Sequence, residues 1–168
     1  MAKKILILAI LTVVVIAGFY YFTHRVPFEK RPPAVGSAAP DIMLADLSGS
    51  MHSLSDYKGR VVIINFWATW CPPCKEQLKL FQRFFDRYEK EGLMVFALSL
   101  DSPDLSEVQQ MGITYPVFEA SKRIRELYGN INTVPATFVV GKEGWIVEKT
   151  KRYYNEETLE RLLKGLLR

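Results

Sequence analysis

Val61-Val62-Ile63-Ile64-Asn65-Phe66-Trp67-Ala68-Thr69-Trp70-Cys71-Pro72-Pro73-Cys74 is the stretch on which the fold turns. Residues 61–67 are a near-continuous apolar run rich in β-branched side chains. That pattern predicts a strand buried on both faces, as in a parallel sheet. A helix is predicted next, over about 73–91, ending at Gly92. Leu78, Phe81, Phe85 and Tyr88 form its apolar stripe, widened by Phe84, and Lys75, Lys79, Arg83, Asp86, Arg87 and Lys90 lie off it. Residues 94–100 read as a second buried strand. Strand, helix and strand of these lengths make a βαβ unit with a right-handed crossover.

Working outward, Ile42, Leu44 and Leu47, then Ser48-Gly49-Ser50, then Met51 and Leu54 predict a short hairpin over 42–54. Downstream, residues 105–111 and 121–128 are predicted as short helices, the second ended by Gly129. A strand over 136–140 turns through Gly141-Lys142-Glu143-Gly144 into an antiparallel partner over 145–149. Asn155 caps a last helix, with Glu156 and Glu157 in its first turn and a stripe of Leu159, Leu162, Leu163, Leu166 and Leu167.

The chain of 168 residues holds two cysteines, Cys71 and Cys74. A framework of structural disulfides is thereby excluded, which leaves a redox pair or half of a metal site. Thiol exchange needs one exposed thiolate and a second thiol within reach. Cys71 is expected just before the first helical turn, where free N–H groups and the helix dipole favour negative charge. Its pKa should fall, making it the attacking thiolate. Cys74, one turn in, is expected to be shielded and to resolve the mixed disulfide. Pro73 is tolerated in a first turn, and Pro72 and Pro73 together stiffen the loop. A closed zinc site needs two more ligands, usually Cys or His. The only histidines are His24, at the predicted membrane boundary, and His52, in the predicted hairpin. Two inert buried thiols are the other alternative, against which the prolines and the helix start both argue. No metal or cofactor is called for. Thr133-Val134-Pro135, just before a predicted strand, is a second signal, because a proline opening a strand is often a cis-proline turn.

The formal charge is +4, to which Lys3 and Lys4 contribute, and the remaining charges are interspersed. Without a basic stripe, no nucleic-acid partner is expected. Residues 5–22 carry no charged side chain and as a helix would span roughly 27 Å, close to a bilayer core. Phe19, Tyr20, Tyr21 and Phe22 close the segment like an aromatic belt. The competing reading is a cleaved signal peptide, with Val15-Ile16-Ala17 as a weak cleavage site. The aromatic residues after Gly18 favour an uncleaved anchor. Residues 1–4 are therefore assigned to the cytoplasm, 5–22 to a single transmembrane anchor, 23–35 to a tether and 36–168 to the domain. Arg25, Lys30 and Arg31 nearly balance the charge rule, but a short tail before one helix usually stays inside and exports the domain.

The quoted stretch resembles the TlpA/ResA-type thioredoxin-like proteins of bacteria. Pro40, Leu54-Ser55-Asp56-Tyr57-Lys58-Gly59 and Thr133-Val134-Pro135-Ala136-Thr137-Phe138 fit as well. The resemblance covers about residues 36–168. It implies an α/β thioredoxin fold, with a central mixed sheet flanked by helices and an added N-terminal β-hairpin. It further implies a Cys71–Cys74 redox disulfide supported by Trp70, Pro72, Pro73 and a cis Pro135, with Thr133 and Val134 meeting substrate. Partners implied are disulfide-containing exported proteins, often apocytochrome c, and a membrane electron donor of the thiol-reducing type. The domain would face the periplasm or cell exterior from the bacterial inner membrane.

Two departures stand out. Thioredoxin itself carries a buried Asp where this chain has Asn65, and TlpA-type proteins commonly lack it too. Many relatives carry a Glu at the position of Gln77; here the acid is Glu76, one step round the helix and expected on the surface. The sequence thus identifies no proton acceptor for Cys74. Two functions compete with a disulfide reductase. A thiol peroxidase of the peroxiredoxin group would carry Thr at the position of Ala68 and Pro at that of Ile64. A non-catalytic docking module would not need the intact cysteine pair.

Overall fold

The computed structural model describes residues 11–18, 20 and 32–168. The chain divides into two units, Met1–Arg31 and Pro32–Arg168. In the first, residues 11–18 form an exposed helix. Among the described residues no helix is long and apolar enough to cross a membrane. Half of the predicted anchor over 5–22 lies outside them, as do residues 1–4 and the predicted tether up to residue 31.

The second unit carries the elements in chain order: β1 (Met43–Ala45), β2 (Met51–Ser53), β3 (Val61–Trp67), α1 (Pro72–Tyr88), β4 (Leu93–Ser99), α2 (Leu105–Gln110), β5 (Val117–Glu119), α3 (Lys122–Leu127), β6 (Ala136–Val140), β7 (Ile146–Thr150) and α4 (Glu156–Leu167). Strands β1 and β2 form the predicted hairpin. The other five make one mixed sheet in the order β5-β4-β3-β6-β7, with β3, β4 and β5 parallel and β6 and β7 antiparallel additions. Every residue of β3 and β4 is buried, as their apolar runs require of central strands.

Alternation along the strands divides the core into two layers. Phe66 and Phe138 pack against Tyr128, which follows α3, with ring centroids 5.5 and 5.0 Å away. On the same side Phe96 of β4 meets Tyr57 and Phe118 at 5.1 and 5.0 Å, beneath His52 of the hairpin. The opposite side is covered by α1 and α4. Arg83 and Arg87 of α1 pair there with Glu156 and Glu160 of α4, at 3.2 and 3.3 Å. Asn155 caps α4 as expected, accepting from Thr158 N at 2.8 Å. Helix α1 leaves α geometry at Tyr88, and a 3-10 turn over Glu89–Glu91 leads to Gly92, whose φ of 99° suits glycine.

Two features differ from the sequence reading. Strand β5 was not expected; Val117 and Phe118 are buried because β4 pairs on one edge and Leu47 N reaches Val117 O, at 2.9 Å, on the other. Residues 32–35, read as tether, belong to the domain. The chain just after them pairs by backbone with β7 and its turn: Gly36 N donates to Ile146 O at 2.8 Å and Ala39 N to Gly144 O at 2.9 Å. Both sheet edges are therefore covered in part by the N-terminal extension, a common protection of exposed strands. Tyr115 and Tyr154 are core residues, with hydroxyls donating to Leu78 O and Glu148, whereas Tyr153 is exposed.

Candidate active site

Strand β3 ends at Trp67, and the chain crosses Ala68, Thr69 and Trp70 to reach Cys71, the N-cap of α1. Pro72 and Pro73 take the first two helical positions, which tolerate residues without an N–H. Cys74 follows and is joined to Cys71 by a disulfide, with Cα atoms 5.3 Å apart. Cys71 is 5% exposed and Cys74 0%: in the disulfide form both are buried, whereas the sequence reading called for an exposed attacking sulfur at Cys71. Trp70, 66% exposed, and Pro72 and Pro73 form an apolar rim.

The first turn differs from the expectation in one respect. Two of its N–H groups are absent because of the prolines. Those of Cys74 and Lys75 donate to Cys71 O at 3.1 and 3.2 Å. Free backbone donors are therefore scarce beside Cys71, while the positive end of the dipole of a 17-residue helix still points at it.

Asp101, just past β4, fastens the loop that carries Cys71. Its carboxylate accepts Thr69 Oγ1 at 2.6 Å and Thr69 N at 3.1 Å, and it also accepts the Ser99 hydroxyl. Leu100 N adds a bond to Trp67 O at 2.9 Å. Burial alone would raise the Asp101 pKa, but the bonds from Ser99 and Thr69 outweigh it and hold the carboxyl below its ordinary range. Sequence reading missed this residue, since nothing in a strand-end Asp announces its partner.

Asn65 of β3, Gln77 of α1, three residues beyond Cys74, and Thr137 of β6 are all buried. Asn65 Nδ2 and Gln77 Nε2 both donate to Thr137 Oγ1, at 2.9 and 3.0 Å. Glu76 is exposed and pairs with Lys79 at 3.0 Å, as expected of a surface residue. The Val134–Pro135 peptide is cis. Because β6 begins at Ala136 opposite Phe66, residues 133–135 arrive at the same end of the sheet as Cys71. Thr133 is exposed, and Val134 and Pro135 are half-buried.

A cleft of about 460 Å³ adjoins Pro72 and Pro73, bounded by Lys75, Lys79 and Met111. A slightly larger one, about 500 Å³, lies away from the sulfurs, between the hairpin and α2. Its polar groups are engaged with one another: His52 bonds Asp46 at 3.1 Å and Tyr57 at 2.8 Å. That leaves the chemistry to the disulfide end. Of the two histidines weighed as metal ligands, His24 lies outside the described residues, and both ring nitrogens of His52 are occupied in this way.

Comparison with known proteins agrees with this geometry. Residues 35–149 match the AhpC/TSA family. Thiol-disulfide oxidoreductase ResA of Geobacillus kaustophilus (strain HTA426) is 35% identical over 162 residues, covering 94% of this chain and 92% of that protein. Thiol-disulfide oxidoreductase ResA of Bacillus anthracis is 31% identical over 172 residues, covering 99% of each. The crystal structure of a putative thiol:disulfide interchange protein DsbE from Chlorobium tepidum superposes with a TM-score of 0.73 at 26% identity, covering 81% of this chain and 99% of that one.

Proposed function

Since the chain belongs to the AhpC/TSA family, and within it to the thiol–disulfide oxidoreductases of ResA type, we propose that it reduces disulfides of exported proteins, apocytochrome c among them, through Cys71 and Cys74. The observation that carries this reading is the disulfide between a cysteine at a helix start and one a turn further in and fully buried.

The cycle begins with both cysteines reduced. The helix dipole favours the thiolate of Cys71, which attacks one sulfur of the substrate disulfide. A Cys71–substrate bond forms as the substrate S–S bond breaks, and one substrate sulfur leaves as a thiolate. Cys74 then gives up its proton and attacks Cys71. The mixed disulfide breaks, the second substrate sulfur leaves with the electron pair, and the Cys71–Cys74 bond closes. The substrate has gained two electrons and two protons. A membrane protein of the thiol-reducing type returns both to the cysteines. Trp70, Pro72, Pro73 and Pro135 shape the rim, and the backbone at Thr133 and Val134 pairs with the substrate chain. Residues 5–22 anchor the enzyme in the bacterial inner membrane, with residues 36–168 on the outer side.

Insulin reduction with dithiothreitol tests the activity. Wild type should turn over and Cys71→Ser should not; equal turnover by the two would refute the assignment. Cys74→Ala should freeze the mixed disulfide on Cys71, and mass spectrometry of the trapped species names the substrate. Equilibration with glutathione distinguishes reductant from oxidant: a potential near −270 mV marks a reductant and one near −120 mV an oxidant, both values approximate for the fold.

A further inference from the structure

The Asn65–Thr137–Gln77 cluster has one peculiarity. The two amide donors occupy both lone pairs of the Thr137 hydroxyl, whose own proton must then point elsewhere. Meanwhile Asn65 Oδ1 and Gln77 Oε1, both buried, accept no hydrogen bond from the protein. Buried acceptors are normally met, and one left unmet costs stability. Two in one cluster mark it as built for more donors than the oxidised protein supplies.

Reduction supplies one. Breaking the Cys71–Cys74 bond with two electrons and two protons creates a thiol at Cys74, a weak donor, in a place with no exposure to water. Gln77 stands one helical turn beyond Cys74 on α1, a spacing that puts both on one face. Thr137 lies two residues beyond Pro135 on β6 and opposite Asn65 on β3. The three polar groups thus meet one helical turn from the resolving cysteine, from β3, β6 and α1 together. The neighbouring ionisable groups are committed elsewhere: Lys75 to Glu107 at 2.7 Å, Glu76 to Lys79 at 3.0 Å, and Asp101 to Thr69 and Ser99.

We propose that Gln77, backed by Thr137 and Asn65, receives the Cys74 S–H in the reduced enzyme and positions it for the resolving attack through an uncharged amide–hydroxyl chain. No member of the chain keeps the proton. As Cys74 attacks Cys71, the proton passes out to the departing thiolate or to water, and the amides stay neutral throughout. The resolving step therefore carries the ionisation of Cys74 alone, with no buried acid coupled to it. This rests on the redox reading of Cys71 and Cys74.

The reaction of reduced full-length protein with 5,5′-dithiobis(2-nitrobenzoate) separates the steps, because Cys71 releases the first thionitrobenzoate and Cys74 the second. In wild type the second phase should rise with pH through one ionisation. Gln77→Glu should add a second ionisation to that phase. Gln77→Met should slow it roughly two- to tenfold while leaving the first phase unchanged. Thr137→Ser should behave as wild type and Thr137→Val should not. A Gln77→Glu profile superimposable on wild type, or two ionisations already in wild type, overturns the proposal. Absence of both phases in wild type would instead overturn the redox reading itself, so the two failures are distinguishable.

Discussion

Two polar clusters, one half-buried around Asp101 and one fully buried around Thr137, stand on β4 and β6 on either side of β3, which leads into the Cys71–Cys74 loop, and they are built on opposite logic. On the β4 side, Asp101 is charged and saturated, its oxygens taken by Thr69 and Ser99. On the β6 side, Asn65, Thr137 and Gln77 are neutral and leave two acceptors unmet. A saturated carboxylate resists any change in its surroundings, because each donor stranded by its loss pays a desolvation penalty. An under-filled neutral cluster tolerates the arrival of a donor without a change of charge. The first suits a fastening for the attacking cysteine's loop; the second suits the side where a buried thiol gains and loses a proton.

The largest effect should come from breaking the fastening. Asp101→Ala strands the Thr69 N–H and hydroxyl and the Ser99 hydroxyl, so a loss of about 2–3 kcal/mol is expected in urea unfolding. A loss below about 0.5 kcal/mol would mean that water replaces the carboxylate freely and that the two clusters do not differ as described. The loss should also depend on pH. Because the folded pKa of Asp101 lies below its unfolded value, the carboxylate's contribution is present above the unfolded pKa, about 4, and disappears as pH falls through the folded value. The wild-type and Asp101→Asn stability curves should accordingly differ at neutral pH and converge in acid. Parallel curves down to pH 2 would contradict the direction of the shift.

A smaller effect is expected on the other side. Gln77→Met removes one donor bond and one unmet acceptor together and keeps the volume, so stability should change by less than about 1 kcal/mol. The sharp form of the comparison is that Asp101→Ala weakens the fold more than it alters the resolving step, whereas Gln77→Met does the reverse. If both variants lowered stability alike with no change in exchange, the β6-side cluster would be ordinary packing.

The same contrast explains what was legible in the sequence. The elements β3, α1 and β4 announced themselves because a fully buried strand must be apolar throughout and an amphipathic helix must repeat. Cys71, Cys74 and the proline before β6 were legible because their chemistry is written in short spacings. Asp101 was not, since its partner Thr69 is 32 residues away and neither belongs to a periodic pattern. Gln77 and Asn65 were noticed only as departures from relatives; that Thr137 joins them follows from strand register, which local sequence does not specify. Strand β5 and the segment around Gly36 escaped for a related reason. Their pairing uses backbone groups, and a three-residue strand with two buried side chains or a proline-rich stretch leaves no side-chain rhythm to read.

The smallest effect is expected at Glu76, and it tests the boundary of the β6-side cluster. Glu76 is the acid adjacent in sequence to Gln77, yet the helix turns it outward, where it meets Lys79 at 3.0 Å with both side chains well exposed. An exposed pair of this kind contributes from zero to a few tenths of a kcal/mol. Glu76→Gln should therefore leave urea unfolding within about 0.5 kcal/mol of wild type. It should also leave the pH profile of exchange superimposable on wild type, in contrast to Gln77→Glu. A shifted profile in Glu76→Gln would show that a surface carboxylate reaches Cys74. The uncharged character assigned to its surroundings would then be wrong, however Gln77 behaves.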